Sequence, residues 1–430
     1  MSLPKKVDFL FLLMGSSGDV LPGVTIAREL LRRGHTATIV TNPFFQADVE
    51  RHGLGFIPIG DLSDYERLTN HPDLWKPMKG TAFLLGDAGF APVMSKLLDI
   101  TGHWIGVRPQ GSFGVVASSL AMAPRILRDI RRFPLATLHL SPAVFRSVKE
   151  PPVIALGGLI PWLHKRFPHQ FRNLVDRFVV DPMLEKQLGT LRKAHGLPKI
   201  KNWMTHWWHS PDLVIALFPE WFASPGDLPA QAKQFPFLLA GNDSPMPPDL
   251  DDFLLAGSPP VVVTLGSAMA QAGRVFEATT RAARELDRRV VLLTRHPEQL
   301  SQHKSGRVPE GTFVCRWAPL GGLFERASLV AHHGGIGTTA QAIAAGVPQL
   351  ILPFAHDQPD NAHIIQRLHL GDFHNPHRIR FGRLKAQMQG LLTSESIARA
   401  CLNARNNQIG FSGTCPAADA LEGLVRDFSA

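Results

Sequence analysis

Short apolar runs alternate with helical segments along the first half of the chain. Residues 7–14 form an apolar run that ends at a glycine turn, as expected of a strand buried on both faces of a parallel sheet. Residues 24–33 have a helical period that Gly34 ends, and residues 35–41 again have the pattern of a strand. This is one βαβ unit, and further strands are predicted at 113–120, 135–141 and 213–219, the last of them closing this half.

The same alternation restarts after a change of composition between residues 222 and 260, where proline, glycine and aspartate dominate. Helices are predicted near 274–286 and 338–345, between strands at 260–267, 289–294, 312–317, 327–333 and 348–354. The predicted fold class is α/β, with two Rossmann-like domains that face each other across a cleft. Their predicted bounds are 1–235 and 260–430, with a linker at 236–259 and a last helix that packs back on the first domain as one alternative.

Composition supports two folded domains. At 430 residues the chain has room for two domains of about 200 residues each, and 44% hydrophobic against 19% charged residues supplies apolar material for both cores. The cysteines, Cys315, Cys401 and Cys415, form no CxxC pair, which argues against a disulfide framework and a structural zinc site. We therefore expect a cytoplasmic protein. Lys5, Lys6 and the following apolar run imitate a secretory signal, but Asp8 interrupts the run, so a buried first strand is favoured.

Lysine and arginine exceed the acidic residues by 45 to 36, which gives a net charge of +9. Three kinds of partner compete to explain this charge: nucleic acid, an anionic membrane surface and an acidic ligand such as a phosphate-bearing substrate. No zinc-finger spacing, RNP-like aromatic motif or basic zipper occurs, so nucleic acid is disfavoured. No run approaches the roughly 20 apolar residues of a membrane-spanning helix.

The segment HHGGIGTT at residues 332–339 is a predicted strand end, a glycine-rich turn and the start of a helix. Backbone N–H groups and the positive end of the helix dipole would converge over this turn, which favours an anion. A turn that only packs a helix on a sheet is the alternative. No Gly-Lys-Ser/Thr follows, so a Walker loop is excluded. Neighbouring strand residues such as His332 and His333 point to opposite faces, which argues against joint metal binding.

Three segments carry a resemblance to the GT-B glycosyltransferases of family 1. The segment HHGGIGTT, continued by AAGVPQLILPFAHDQPDNA at 344–362, resembles their nucleotide-sugar signature, and RWAPLGGLF at 316–324 matches its start. GSSGDVLPGVTIARELLRRGHTATIVT at 15–41 is similar to the family's first loop, so the likeness covers essentially the whole chain. THWWHSP at 205–211 resembles the rhamnosyltransferases of rhamnolipid synthesis, which transfer rhamnose from dTDP-rhamnose to a hydroxyalkanoyl lipid.

The resemblance implies donor-binding roles. Trp317 would stack on the pyrimidine and the Ala318 backbone would contact its edge, while His333 and Ser267 would bind the diphosphate. Asp357 and Gln358 would bind sugar hydroxyls. Gln341 stands where many relatives have a ribose-binding glutamate, and Leu320 replaces a glutamine common in plant members, which leaves UDP or dTDP open. The remaining implied donor contacts are the turn residues Gly18, Gly335, Gly337 and Thr338.

The resemblance also implies that Asp19 is the general base of an inverting transfer that needs neither metal nor other cofactor. An aspartate is a weak base unless burial beside an apolar acceptor raises its pKa, and a helix N-cap is the alternative role for Asp19. The expected reaction moves rhamnose or glucose from a dTDP- or UDP-sugar to a hydroxyl of a small hydrophobic or lipid-like acceptor. Alternatives are UDP-glucose-dependent glycosylation of a macrolide, sterol or polyphenol, a sugar-nucleotide 2-epimerase, and a non-catalytic nucleotide-sugar-binding subunit.

One amphipathic stretch bears on whether the protein contacts a membrane. Residues 161–178 place Phe171, Leu174, Val175 and Phe178 at helical spacing near two arginines. Such a helix lines an acceptor pocket, contacts an anionic bilayer at the inner face of the membrane, or packs as an ordinary surface helix. The sequence leaves these alternatives, the identity of the acceptor and the oligomeric state open.

Overall fold

A computed structural model gives the architecture of the chain. It describes residues 6–76, 79–86, 89–153, 162–163, 166–241, 244–302, 309–409 and 415–429. Two parallel sheets, each flanked by helices, make up the described part, so the fold is α/β with two Rossmann-like units as predicted.

The first sheet has seven parallel strands in the order β3-β2-β1-β4-β5-β6-β7. Phe9 of its central strand pairs with Ala37 on one side and Gly114 on the other, and the apolar side chains of that strand are fully buried. Burial on both faces explains why the sequence there is apolar rather than alternating. The strands are β1 Asp8–Leu12, β2 Thr36–Thr41, β3 Gly55–Pro58, β4 Phe113–Ser118, β5 Leu135–His139, β6 Leu213–Ala216 and β7 Ala232–Gln234.

The second sheet has six parallel strands in the order β10-β9-β8-β11-β12-β13. Its two central strands are valine- and leucine-rich and fully buried, with Val262 paired to both Val291 and Val330. The strands are β8 Val261–Thr264, β9 Val290–Leu293, β10 Thr312–Cys315, β11 Leu329–His332, β12 Gln349–Ile351 and β13 Gly371–Phe373.

Helices cover both faces of each sheet. The helices of the first sheet and its connections are α1 Ser17–Arg32, α2 Gln46–Glu50, α3 Leu62–Thr69, α4 Lys79–Leu85, α5 Met94–Gly106, α6 Ala123–Ile130, α7 Pro168–Val175, α8 Asp181–Leu184 and α9 Thr190–Ala194. The later helices are α10 Pro248–Leu255, α11 Gly273–Arg284, α12 Leu320–Phe324, α13 Ile336–Ala345, α14 Gln358–Arg367, α15 Phe381–Thr393, α16 Glu395–Ile409 and α17 Pro416–Ser429. Short 3₁₀ segments lie at 43–45, 91–93, 142–145 and 297–302, and π-helical turns at 176–180, 185–189 and 203–207.

Two sequence predictions about elements are wrong. The run at 213–219 does not supply the last strand of the first sheet, because β7 pairs beside β6 through Ile215 and Lys233. Helix α1 begins at Ser17 rather than near Val24, with Pro22 inside its second turn. A proline at this position lacks the N–H that would bond to the Gly18 carbonyl one turn earlier, so it weakens the start of the helix rather than fitting it without cost.

Helix packing links the two halves of the sequence. Helix α10 falls within the range predicted as linker and packs through Leu250 and Leu254 on the second sheet. The last helix, α17, packs on α1 and β4 of the first sheet, and Arg33 pairs there with Asp419 and Glu422. The C-terminal end of the chain therefore belongs to the core of the first sheet.

In each sheet the strand order reverses next to the central strand, between β1 and β4 in the first and between β8 and β11 in the second. Ligands of parallel sheets bind outside the carboxyl ends of the strands at this reversal. The loops that follow β1, β8 and β11 are therefore the places where a site is expected. Among the described residues, no helix is long and apolar enough to cross a membrane.

Candidate active site

A cavity of about 1210 Å³ lies at the carboxyl ends of both sheets. All twelve residues predicted from the sequence to act in catalysis or donor binding line it: Gly18, Asp19, Ser267, Trp317, Ala318, His333, Gly335, Gly337, Thr338, Gln341, Asp357 and Gln358. A site for one small ligand usually measures about 300 to 1,000 Å³. The cavity therefore has room for two molecules side by side.

Asp19 is the third residue of helix α1, directly after the turn that leaves β1. Its Oδ2 accepts hydrogen bonds from the backbone N–H of Ser16 at 2.7 Å and from the Ser16 hydroxyl at 2.8 Å. The alternative role of Asp19 as the helix N-cap is wrong, because Ser16 is the N-cap of α1. Asp19 instead occupies the third helical position, and its carboxylate completes a capping box with Ser16. Burial raises the pKa of Asp19 above its usual value, and the two bonds from Ser16 only partly offset this.

The side chains of the two adjacent histidines lie in different surroundings, as neighbouring positions at the end of a strand predict. His332 is fully buried, accepts from the Gly334 N–H at Nδ1 and contacts the Gln349 side-chain oxygen through Nε2 at 2.9 Å. His333 lines the cavity, and its buried Nδ1 has no hydrogen-bond partner among the described residues. Burial lowers the pKa of His333 to about 3, so its ring is a neutral hydrogen-bonding group at physiological pH.

Two glycines leave room for the His333 ring beside the N-terminus of α13. A Cβ on Gly335 would lie 2.4 Å from His333 Nε2, and a Cβ on Gly266 would lie 3.0 Å from the same atom. Only glycine fits at either position without moving the ring. The N-terminal turns of α1 and α13 also approach each other closely. A Cβ on Gly337 would lie 3.8 Å from the Gly18 Cα, so no side chain separates the two turns at this point.

Asp357 and Gln358 lie at the start of α14. The Asn361 side chain donates to Asp357 Oδ2 at 2.8 Å, while burial, aided by the charge of Asp19, raises the pKa of Asp357 to about 6. The side-chain oxygen of Gln358 accepts from the backbone N–H of Phe354 at 2.8 Å and of Ala355 at 3.2 Å. That oxygen is therefore committed to the loop, and the Gln358 amide nitrogen is the group available to a ligand.

The other residues predicted to contact the donor also line this cavity. Trp317 follows β10 with 44% of its surface exposed, which suits a ring that stacks on a flat ligand, and the neighbouring Ala318 is buried. Ser267 follows β8 through Gly266, whose φ of +92° requires glycine. Gln341 lines the cavity but also donates to the backbone oxygen of Ala240 at 2.9 Å, so it ties α13 to the connection between the sheets.

Sequence reasoning missed Tyr65, the only tyrosine of the chain. It extends from α3 into the cavity, where its buried hydroxyl lies beside Ser267. Burial, together with the nearby charge of Asp19, raises the pKa of Tyr65 to about 12, while Arg295 and the Ser267 side chain oppose this. The ring stacks on Phe44 at 4.2 Å, and the Arg295 guanidinium covers Phe44 at 4.9 Å. No motif surrounds Tyr65, so only the three-dimensional structure could identify it.

Comparison with known families matches both halves of the chain. Residues 9–88 match the "Glycosyltransferase family 28 N-terminal domain", and residues 277–417 match "Erythromycin biosynthesis protein CIII-like, C-terminal domain". The two matched regions contain the loop after β1 and the loops after β10, β11 and β12, which line the cavity.

Curated relatives are similar at low identity. A "Sterol 3-beta-glucosyltransferase" of Penicillium rubens is 25% identical over 463 residues, covering 99% of this chain and 31% of that protein. An "O-mycaminosyltylonolide 6-deoxyallosyltransferase" of Streptomyces fradiae is 27% identical over 372 residues, covering 83% of each chain. The chain thus spans only about a third of the length of the sterol enzyme, but most of the length of the Streptomyces enzyme.

Solved structures share the fold over nearly the whole chain. The glycosyltransferase of kitacinnamycin has a TM-score of 0.74 at 19% identity, covering 98% of this chain and all of that one. The glycosyltransferase VinC, in complex with dTDP, has a TM-score of 0.69 at 19% identity, again covering 98% of this chain and all of that one. Both support the GT-B arrangement of two facing Rossmann-like units.

Proposed function

We propose that this chain, a GT-B glycosyltransferase with a family 28 N-terminal domain and an erythromycin CIII-like C-terminal domain, is an inverting O-glycosyltransferase. It moves a sugar from a nucleoside diphosphate to a hydroxyl of a small hydrophobic or lipid-like acceptor. The observation that carries this proposal is one cavity in which Asp19, from the first sheet, faces His333 and the N-terminus of α13, from the second.

The proposed mechanism gives each side of the cavity one task. Asp19 removes the proton of the acceptor hydroxyl while that oxygen bonds to the anomeric carbon. The bond from this carbon to the diphosphate oxygen breaks at the same time, and the nucleoside diphosphate leaves from the opposite face of the sugar. Attack from one face and departure from the other invert the configuration. The raised pKa of Asp19 makes it a stronger base than an ordinary carboxylate.

In the proposed mechanism, groups of the second unit stabilise the negative charge of the leaving diphosphate. The N–H groups at the start of the ten-residue helix α13 and the dipole of that helix favour the negative charge of the diphosphate. Neutral His333 adds a preorganised hydrogen-bonding group rather than a charge. These groups are already directed at the place where charge develops, so we propose that the transfer needs no metal ion. Unchanged turnover after exhaustive treatment with EDTA is the expected result, and a loss restored by Mg²⁺ would contradict it.

The proposed donor is a dTDP- or UDP-sugar, with rhamnose or glucose as the transferred sugar. VinC is similar in fold and binds dTDP, which supports a pyrimidine diphosphate beside exposed Trp317. The two curated relatives act, by their names, on a sterol and on a tylonolide, which supports a hydrophobic acceptor. The similarity to the sterol glucosyltransferase favours UDP-glucose-dependent glycosylation of a neutral polycyclic alcohol as the second candidate function.

Two experiments test the proposal. Thermal-shift measurements with UDP-glucose, UDP-GlcNAc, dTDP-glucose and dTDP-rhamnose rank the donors, because a ligand that binds the native state raises its apparent stability with affinity. Labelled donors are then incubated with and without a panel of hydrophobic alcohols and hydroxy acids, and products are analysed by mass spectrometry. Transfer that requires an acceptor is expected. A sugar isomer formed without acceptor indicates an epimerase, and donor binding without any product indicates a non-catalytic subunit; either contradicts the proposal.

Contact with an anionic membrane is also proposed, because exposed apolar side chains cluster around α7. Trp162, Phe167, Leu174, Phe178 and Val179 are each between 42% and 64% exposed. Arg166 and Arg177 pack over two of these rings, at 5.0 Å from Phe167 and 5.4 Å from Phe178. Aromatic rings beside arginines suit the interface of an anionic bilayer. Sedimentation with phosphatidylglycerol vesicles should exceed that with phosphatidylcholine vesicles, and equal sedimentation would refute the contact.

A further inference from the structure

The helix that follows Asp357 is docked along one face on the unit built around the first sheet. Asp357 precedes the first residue of α14, and Asp360, Ile364 and Arg367 follow it at spacings of three and four residues. Residues with this spacing lie on one side of a helix. Each of the four meets a group of the first unit, so the position of α14 depends on that unit as well as on its own sheet.

The C-terminal half of α14 is fixed by packing and by one arginine. Ile364 is buried in an apolar cluster that also contains Phe222 of the first unit. Arg367 Nη2 donates to the backbone oxygen of Phe222 at 2.9 Å, and its Nη1 pairs with Glu150 at 3.2 Å. This end of the helix is therefore attached to the connections of the first sheet.

Residues 147–153 of the first unit, here called the strap, reach the same face of α14. The first half of the strap is fixed within its own unit, because the Val148 N–H donates to Asp227 Oδ2 at 2.9 Å. Two consecutive prolines then restrict the backbone, and the second of them, Pro152, lines the cavity together with Val153. The strap is therefore part of the first-unit wall of the cavity, the side to which the proposed function assigns the acceptor.

Asp360 holds the far end of the strap. Its Oδ1 accepts a hydrogen bond from the Val153 N–H at 2.9 Å. The residue is only 8% exposed, and the neighbouring Arg367 pairs with Glu150 rather than with Asp360. A carboxyl that is buried without a bonded cation lowers stability, so packing alone does not favour an acid at this position. The bond to the strap is what a carboxyl provides here and an apolar side chain would not.

We propose that Asp360 is a positioning residue, which keeps the acceptor wall aligned with the end of α14 that binds the sugar. The inference rests on the proposed function, since it concerns the alignment of acceptor and sugar in that same site. Asp360 does not line the cavity, but it lies three residues from Asp357, about 4.5 Å along the helix axis. Ser141 of the first unit lies beside Asp357 as well. A displacement of about 1 Å between reacting groups slows a reaction by up to about 100-fold, so release of the strap should slow transfer.

Limited proteolysis tests the contact without any need for turnover. Trypsin cleaves after Lys149, which is exposed in the strap, and cleavage there requires the strap to open. Asp360→Ala removes the acceptor of the Val153 N–H and should speed this cleavage about tenfold, the factor expected for one lost hydrogen bond. Asp360→Asn loses the same charge but keeps an oxygen for the N–H, so its cleavage rate should stay within about twofold of the wild type. Equal cleavage rates of the two variants, measured by mass spectrometry of the fragments, would overturn the proposal.

Single-turnover transfer, measured with the dissociation constant of the donor, tests the consequence for the reaction. Asp360→Ala should transfer sugar about tenfold more slowly with donor affinity within about twofold, and Asp360→Asn should restore the rate. The matched control is Gln366→Ala, because Gln366 is exposed on α14 and bonds to Asp372 at 2.9 Å rather than to the strap. This variant should change neither cleavage nor transfer. A loss equal to that of Asp360→Ala would assign the effect to a loosened α14 and overturn the proposal.

The positioning role and the proposed function fail in different ways. Rapid cleavage of Asp360→Ala together with a normal transfer rate would make Asp360 a structural contact only, and would refute the positioning role alone. Absence of donor binding or of acceptor-dependent transfer in the wild type would refute the proposed function. The tryptic comparison would then still decide whether Asp360 holds the strap.

Discussion

At the scale of single residues, Tyr65 offers the cleanest test. Tyr65→Phe removes one oxygen that is buried, borders the cavity and lies beside Ser267. If the hydroxyl donates to the donor or the acceptor, kcat/KM should fall by about tenfold, the value of one or two hydrogen bonds. The melting temperature should change little, because the phenylalanine ring keeps the stacking on Phe44. Steady-state kinetics and thermal unfolding check both, and an unchanged kcat/KM would make Tyr65 a packing residue.

The candidate residues that the sequence identified are those that lie in recognisable motifs. Asp19, His333 and Asp357 follow apolar strands through short turns, so their place at the sheet edge could be predicted. Tyr65 has no such context, since it comes from helix α3, which approaches the site only after folding. Its contribution depends on the packing of distant segments, which a local pattern does not contain.

At the scale of elements, the turn before α13 should be intolerant of any side chain. Gly335→Ala puts a Cβ where the structure leaves 2.4 Å to His333 Nε2, so the ring must move. Donor affinity and kcat should both fall, by an amount close to that of His333→Ala, because both changes remove the ring from the diphosphate site. Fluorescence titration of the nucleotide sugar gives the affinity. Donor affinity that is normal in Gly335→Ala but reduced in His333→Ala would refute the steric link between the two residues.

Asp360, on helix α14, makes the stability of the folded state depend on pH. Burial raises the pKa of this carboxyl to about 7; the charge of Asp357 adds to this, and the bond from the Val153 N–H at 2.9 Å opposes it. An unfolded aspartate titrates near 3.9, so the folded state retains a proton that the unfolded state loses as the pH rises. The stability contributed by protonated Asp360 is therefore complete below about pH 4 and is lost between about pH 4 and 7.

Asp360→Asn removes this penalty and keeps an oxygen for the Val153 N–H. The melting temperature of the variant minus that of the wild type should increase between about pH 4 and 7 and then level off. The exposed Asp249 serves as the control, and Asp249→Asn should show no such increase. If the melting temperature of Asp360→Asn minus that of the wild type stays constant between about pH 4 and 7, this would contradict the raised pKa of Asp360.

Most strands of both sheets were predictable, because a strand buried on both faces needs a run of apolar residues. Strand β7, Ala-Lys-Gln, lies at the sheet edge with one neighbour and partial burial, so its sequence carries no such run. The start of α1 was missed for a related reason, since Ser17 to Pro22 contains a turn-like glycine and a proline that the capping box of Ser16 and Asp19 nevertheless accommodates. Edge strands and helix starts depend on neighbours rather than on a periodic pattern.

At the scale of the whole molecule, the site exists only because two sheets meet. Arg295 of the second unit covers Phe44 of the first at 4.9 Å, and Trp75 meets His356 edge-to-face at 5.8 Å. The connection between the sheets is fixed by Gln341, and α17 returns to the first sheet. The sequence motifs predicted that these loops share a ligand. They could not predict which side chains from the first unit complete the cavity.

The central claim is that Asp19 takes the acceptor proton in an inverting transfer. The most direct measurement is the single-turnover rate of Asp19→Asn, together with the dissociation constant of the donor on the same preparation. An asparagine oxygen can still accept from the Ser16 N–H, so the helix start should persist. Removal of a general base costs about 10²- to 10⁴-fold in rate, and we predict a loss of this size with donor affinity unchanged. A folded variant that transfers sugar at close to the wild-type rate would contradict the account.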